Sequence, residues 1–287
     1  MTAGAETRPI RRGGLGLWPL APAGLIFVGL FAVPLAYFFV ISFWSVRARI
    51  MRPDFTLRNY AATWTEYGDT LANTLLIALG IGLATTLLAF GLAYVIRFRA
   101  GRWANPLLFL TLITLFGGYL VKIYAWKSIL GRDGILNLAL IKLGLIDEPL
   151  SVFIYNANGV VITLTYFLLP FAVLPIYGSM RSIRDATLEA SRDLGAGPWT
   201  TMRKIVLPQC EGGIVVAFMF TFLISAGDYV TPRFVGGGAA MMGQFIETQF
   251  SLGFNWPMGS AMAFTIMATS LMVVLVFRGV LRQWLRP

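Results

Sequence analysis

The sequence predicts an all-α membrane protein with six transmembrane helices. Of its 287 residues, 57% are hydrophobic and only 13% are charged, and the mean hydropathy is +0.73. A soluble domain of this length does not need so much apolar surface, so the bilayer must be its solvent. Crossing a hydrocarbon core of ~30 Å takes about 20 helical residues. Six apolar segments are candidates on that scale, with basic residues gathered beside their ends.

The first segment, Trp18–Trp44, follows Arg8, Arg11 and Arg12. It is too long and too aromatic for a cleaved signal sequence, so it is expected to be an anchor. The second, Thr70–Ile96, holds no charge between Asp69 and Arg97, and Ala78, Gly82 and Thr86 give it a small-residue face for close helix packing. The third runs from Trp103 to about Leu130, with Lys122 and Lys127 near its far end. The fourth lies within Asn158–Met180 and contains Pro170 and Pro175, which are expected to kink it. The fifth begins at Gly212 and meets Asp228 after 16 uncharged residues, and the sixth, Pro257–Phe277, ends at Arg278. The chain thus divides into an N-terminal tail (1–17), a first helix with its external loop (18–69), a core (70–280) and a C-terminal tail (281–287).

The basic residues orient these spans. Arg8, Arg11 and Arg12, then Arg97, Arg99 and Arg102, then Arg181, Arg184, Arg192, Arg203 and Lys204, then Arg278, Arg282 and Arg286 all fall on one side of a six-span arrangement. The acidic residues on that side, Glu6, Asp185, Glu189, Asp193 and Glu211, are far fewer. Positive charge is retained in the cytoplasm, so both termini are expected there. The external loops, roughly 45–69, 131–157 and 233–256, are then too short for a ligand-binding domain. Solute capture is left to another protein or to the membrane interior.

The net charge of +10 is explained by this asymmetry, and nucleic-acid binding is not expected. A single cysteine, Cys210, excludes an intrachain disulfide, and the absence of histidine removes imidazole ligands and bases. No G-x-x-x-x-G-K-[ST] loop occurs, so ATP binding of the P-loop kind is not expected in this chain. No catalytic residue, metal site or cofactor is predicted. Energy must enter through a partner or an ion gradient.

Residues 189–208, within a loop of about 181–211, form a polar, basic island among the apolar segments. Ile183, Ala186, Ala190 and Leu194 recur at helical spacing and give a narrow apolar stripe with small residues at its centre. Gly195 suits a helix stop and Pro198 the first position of a new short helix. An ordinary amphipathic helix at the membrane surface would show the same stripe. The order Glu189-Ala190-Ser191, Gly195, Ile205, Leu207-Pro208, however, resembles the E-A-A-x3-G-x9-I-x-L-P loop of binding-protein-dependent ABC importer permeases, with Ser191 in place of the second alanine.

That resemblance implies an importer-type permease core in which Glu189, Ala190, Ser191, Gly195, Ile205, Leu207 and Pro208 transmit movement from a separate ATPase through a cytoplasmic coupling helix. It implies further partners: an ABC ATPase dimer, a second permease subunit of different sequence, and a periplasmic or lipid-anchored solute-binding protein, in a bacterial cytoplasmic membrane. Tyr124-Ala125-Trp126, Leu130-Gly131-Arg132, Gly134-Ile135-Leu136-Asn137, Ala226-Gly227-Asp228-Tyr229-Val230-Thr231-Pro232 and Asn255-Trp256-Pro257 are similar to spermidine/putrescine-type permeases. The implied solute is a small organic cation of polyamine type. Permeases of the same sequence type serve opines, phosphonates and other small organic solutes. A secondary transporter or channel acting alone is the rival class, and neither the missing internal repeats nor the ATPase-docking loop favours it.

Asp228 carries two readings. It is either a pore-lining anion that attracts a cationic solute, or a carboxylate paired with Lys122, Lys127 or Arg233 or capping a broken helix. Tyr124, Trp126 and Tyr229 are likewise either aromatic walls for an alkylammonium group or members of the interfacial aromatic belt.

Overall fold

The computed structural model describes residues 21–285. The 1–17 tail with Arg8, Arg11 and Arg12, the predicted span start at Trp18, and Arg286 lie outside the described residues. Helix α1 runs over Ala21–Ile41 and faces outward along most of its length. It widens into a π-helical turn at Val28–Ala32 just before Pro34, where a missing N–H would otherwise interrupt the ladder. A small antiparallel hairpin follows, β1 (Ser45–Arg47) with β2 (Ile50–Arg52) and Val46 opposite Met51. Its turn residues Ala48 and Arg49 hold positive φ, as a tight hairpin turn demands. Asp54 staples the hairpin by accepting from the Ser45 N–H and hydroxyl at 2.8 and 2.6 Å.

Helix α2 covers Arg58–Phe98, 41 residues. The helix thus begins before the predicted apolar span at Thr70: Arg58–Asp69 holds no proline, and the helix continues back through it. The external loop expected over 45–69 shrinks accordingly, and Asn59 fastens the helix start by donating to the carbonyls of Ser42 and Trp44. The predicted small-residue face is buried, with Ala78 fully enclosed and Thr86 nearly so. A Cβ at Gly82 would stand 3.0 Å from the Phe218 ring and 3.3 Å from Phe222, so glycine lets the two helices approach without displacing either side chain.

The third segment, predicted as one span from Trp103 to about Leu130, is not one continuous helix. After α3 (Ala104–Ile113) and a 3-10 turn at Thr114–Phe116, Gly117 and Gly118 adopt extended backbone, and the chain turns through 104° into α4 (Tyr119–Leu130). The hydropathy of the segment is continuous, but two adjacent glycines interrupt the helical hydrogen bonds. Lys122 and Lys127 thus belong to a separate helix beyond the bend. Helix α5 (Ile135–Lys142) lies within the next connection.

Helix α6 (Ala157–Arg181) starts at an Asn156 cap that accepts from the N–H groups of Asn158 and Gly159, and its helical assignment continues through both Pro170 and Pro175. The loop then forms α7 (Asp185–Asp193), α8 (Pro198–Thr201), a π-helical turn at Met202–Val206 and α9 (Leu207–Gln209). A 67° bend at Cys210 leads into α10 (Glu211–Ala226). Short helices α11 (Val230–Val235) and α12 (Met242–Ser251) precede α13 (Trp256–Leu285), which outlasts the predicted end at Phe277.

Helices α2, α6 and α10 pack on one another as the centre, and α13 closes the bundle against α2, α10 and α12. Phe218 stacks on Phe277 at 3.8 Å between centroids and on Phe222 at 5.4 Å. Among the described residues, four helices are long and apolar enough to cross a membrane, and the two bent pairs raise the number to six if each is one span.

Candidate coupling surface and the Asp228 clamp

Two places collect the residues singled out from the sequence. The first is the loop at the end of the bundle. Gly195 holds φ +76° and closes α7 in a Schellman arrangement: its N–H donates to the Arg192 carbonyl at 2.8 Å and the Ala196 N–H to the Ser191 carbonyl at 3.0 Å. Pro198 opens α8, where its missing N–H costs nothing. Arg97, in the last turn of α2, pairs with Asp185 at 2.7 Å and also reaches the Ile183 carbonyl. Ile183, Val206 and Cys210 are buried in one cluster, with Leu188 and Met202 packed against it. The loop is thereby seated on the bundle by its own apolar side chains.

The predicted apolar stripe of α7 divides. Ile183 turns inward and is 1% exposed, whereas Ala186 and Ala190 face outward and Leu194 is 88% exposed. Glu189 and Gly195 lie on the same uncovered side, and Trp199 adds another exposed ring. Ser191 instead points into the subunit, where its hydroxyl shares a 2.9 Å hydrogen bond with that of Thr201. Ile205, Leu207 and Pro208 are half-buried on the π-helical turn and α9 that return the chain to the bundle. A large exposed leucine and tryptophan beside exposed alanines form a surface suited to a protein partner.

The second place is the break between α10 and α11. Asp228 is 8% exposed, and its carboxylate accepts from three donors: the Tyr119 hydroxyl to Oδ2 at 2.8 Å, the Val230 N–H to Oδ1 at 3.0 Å, and the Thr231 N–H at 3.3 to 3.4 Å. Tyr119 also shares a 2.7 Å hydrogen bond with the Thr231 hydroxyl. Asp228 thus satisfies the free N–H groups at the start of α11. No basic side chain pairs with it among the described residues: Arg233 instead lies 3.9 Å from Glu247. Lys122 and Lys127 stand over the rings of Phe167 and Tyr155.

The candidate aromatics do not converge with Asp228 into one cage. Tyr124 is half exposed and meets Phe234 edge-on, and Trp126 meets Tyr166 in the same way. Tyr229 projects instead into a cavity shared with Glu247, Thr248 and Ser251 of α12. Sequence reasoning missed Tyr119, Thr231 and Thr201. The Asp228-x-x-Thr231 spacing before Pro232 is a readable cap signal, but Tyr119 is 109 residues away and gives none.

Apolar helices around a tight helical centre, with a polar helix–turn–helix carried at one end, are the architecture of a membrane-embedded transport subunit. The chain belongs to the family described as binding-protein-dependent transport system inner membrane component, whose profile matches residues 18–287. It is 32% identical over 232 residues to the spermidine/putrescine transport system permease protein PotB of Escherichia coli K12, covering 80% of this chain and 84% of that one. PotC of the same organism is 30% identical over 118 residues, covering 41% of this chain and 44% of that one. The fold is shared with a bacterial ABC transporter that imports the acidic polysaccharide alginate, at a TM-score of 0.69 and 16% identity over 93% of this chain and 96% of that one. This protein is accordingly a permease subunit of an ABC importer of the inner membrane.

Proposed function

We propose that the chain forms half of the path for a small organic cation of polyamine type, and that the exposed face made by Ala186, Glu189, Ala190, Leu194, Gly195 and Trp199 is its docking surface for an ATPase dimer. The observation that carries the coupling assignment is the outward-facing row Ala186, Ala190 and Leu194, left bare while Ile183, Leu188, Met202 and Val206 of the same loop are seated in the bundle. Apolar surface of that size on a polar loop is stabilised by a partner rather than by water. Closure of the ATPase dimer would push this helix, and the rigid seat formed by Ile183, Val206 and the Arg97–Asp185 pair would pass the push into α2 and α10. A second permease of different sequence would supply the other half of the path, and a solute-binding protein would deliver the solute. Both termini and the loop then lie in the cytoplasm.

The similarity to PotB supports the polyamine class. A second reading, a small organic solute without several positive charges, is supported by a specific observation: the Asp228 carboxylate is already occupied by three donors. Uptake of labelled putrescine and spermidine by vesicles containing the complete complex separates the two. Transport of an opine or phosphonate with no polyamine uptake would refute the first. For orientation, cysteines placed at Asp147 and Gly197, both exposed, should react with an impermeant reagent from opposite faces, Gly197 only from the cytoplasmic side. ATPase that co-purifies with the wild-type chain but not with Leu194→Lys would support the docking surface, and equal recovery would remove it.

A further inference from the structure

Beneath the loop lies a cavity of about 460 Å³ that coupling does not explain. Its walls come from the last turns of α2, from α7, and from the α8 region, so it opens where the apolar run of α2 ends and its basic residues begin. Tyr94 and Phe98, whose rings lie 5.1 Å apart, form one wall, and Met202 and Val206 form another. Arg99 and Arg192 line the same space, and no acidic residue does.

The electrostatics are one-sided. The ion pairs among the described residues use Arg47, Arg97 and Arg233, so the neighbouring Arg97 is neutralised by Asp185 while Arg99 and Arg192 have no acidic partner. Two guanidinium groups facing one space favour an oxyanion, because their forked donors match phosphate geometry. The rest of the lining is aromatic and aliphatic, which favours a ligand with an apolar part beside its charge. Position completes the argument: basic pockets between helices at the membrane boundary suit lipid headgroups.

We propose that this cavity binds the phosphodiester of an anionic glycerophospholipid, with Arg99 and Arg192 on the phosphate and the first part of an acyl chain against Tyr94, Phe98, Met202 and Val206. The volume suits a headgroup and a short length of chain, while the remainder of the lipid stays in the bilayer. Such a lipid would bridge the end of α2 to the coupling loop. The cytoplasmic placement of the cavity rests on the orientation proposed above; the binding chemistry does not.

The test is native mass spectrometry of the detergent-purified complex after exchange into mixed micelles of phosphatidylglycerol and phosphatidylcholine. The wild type should retain phosphatidylglycerol several-fold over phosphatidylcholine, the Arg99→Gln/Arg192→Gln variant should lose that preference, and Arg99→Lys/Arg192→Lys should keep part of it. Both arginines are exposed, so the glutamine variant should insert and assemble at wild-type abundance. Equal retention of the two lipids by the wild type, or an undiminished preference in the glutamine variant, would overturn the proposal. Displacement of the retained lipid by millimolar glycerol phosphate would assign the site to a soluble phosphate and overturn its lipid source. ATPase recovery measured on the same samples keeps this result separate from the docking surface: loss of docking with lipid preference intact counts against the coupling reading alone.

Discussion

The Tyr119 hydroxyl donates to Asp228 Oδ2 at 2.8 Å and so joins two helix breaks that are 109 residues apart in the chain. One break is the 104° bend at Gly117-Gly118, and the other is the gap between α10 and α11. Each leaves backbone groups that need partners where water is scarce, and irregular backbone at that depth is tolerated only beside protein or a polar cavity. The carboxylate caps the free N–H groups of α11 and, through the Tyr119 hydroxyl, ties the start of α4 to that cap.

Tyr119→Phe removes the hydrogen bond to the charged acceptor, a loss of about 1.5–3 kcal/mol, together with the one shared with the Thr231 hydroxyl. Asp228→Asn weakens all three contacts while keeping the shape. Each single variant should lower the thermal transition of the complex, and the double variant should lose less than the two losses added together. Strict additivity would mean that the two side chains do not act as a unit. Reduced uptake by Asp228→Asn at unchanged stability would instead support a direct role toward the solute.

Gly195→Val places a β-branched residue at φ +76° and should disrupt the stop of α7 without preventing membrane insertion. Glu189→Lys reverses a charge on the same exposed face. In the reconstituted complex, both should lower solute-stimulated ATP hydrolysis several-fold. Full stimulation in both would exclude this face from the ATPase contact.

Ser191→Ala restores the small residue typical of this loop and loses the bond to Thr201, a cost of about 1 kcal/mol or less. Coupling should be nearly unchanged. Ser191→Leu, by contrast, has no room in its buried position and should depress both stability and coupling. If the leucine variant coupled normally in a stable complex, the inward seat of Ser191 would carry no weight.

Gly82→Leu drives a branched side chain into Phe218 and Phe222 at the centre of the bundle. Overpacking of this kind costs about 1–3 kcal/mol. The expected reading is a lower thermal transition and less complex in the membrane, and Phe218→Ala in the same chain should recover part of it. No rescue would show that the two helices do not meet at this point.

Hydrogen bonds from Ser45 hold the Asp54 carboxyl below its usual value of 3.8. A depressed folded-state value means that the hairpin staple is complete at neutral pH and is lost as pH falls below 3.8 through the folded value. Pepsin cleavage within residues 43–57 of the wild type, relative to Asp54→Asn, should therefore be low at the upper end of the enzyme's working range and should approach the variant at its lower end. A constant ratio would refute the staple.

Much of this protein was legible without coordinates, because the bilayer makes burial a matter of composition. Spans two, four and six follow from long uncharged runs, since any backbone crossing hydrocarbon must satisfy its own hydrogen bonds as a helix. The loop was legible for a different reason: Gly195 and Pro198 act through local backbone rules, and their positive φ and helix-start roles need no distant partner. The third span was not legible as it is, because hydropathy stays high across Gly117-Gly118 while the backbone turns away. Nor did residue spacing say which face of α7 the bundle would cover; that depended on Ile183, Leu188 and Val206 finding one cluster while Leu194 remained outside it. Asp228 shows the boundary most clearly. Its charge within an apolar setting marked it in the sequence, but whether it met a lysine, an arginine, the solute or a helix end rested on long-range packing. Only the folded chain brings Tyr119 and the start of α11 to the same carboxylate.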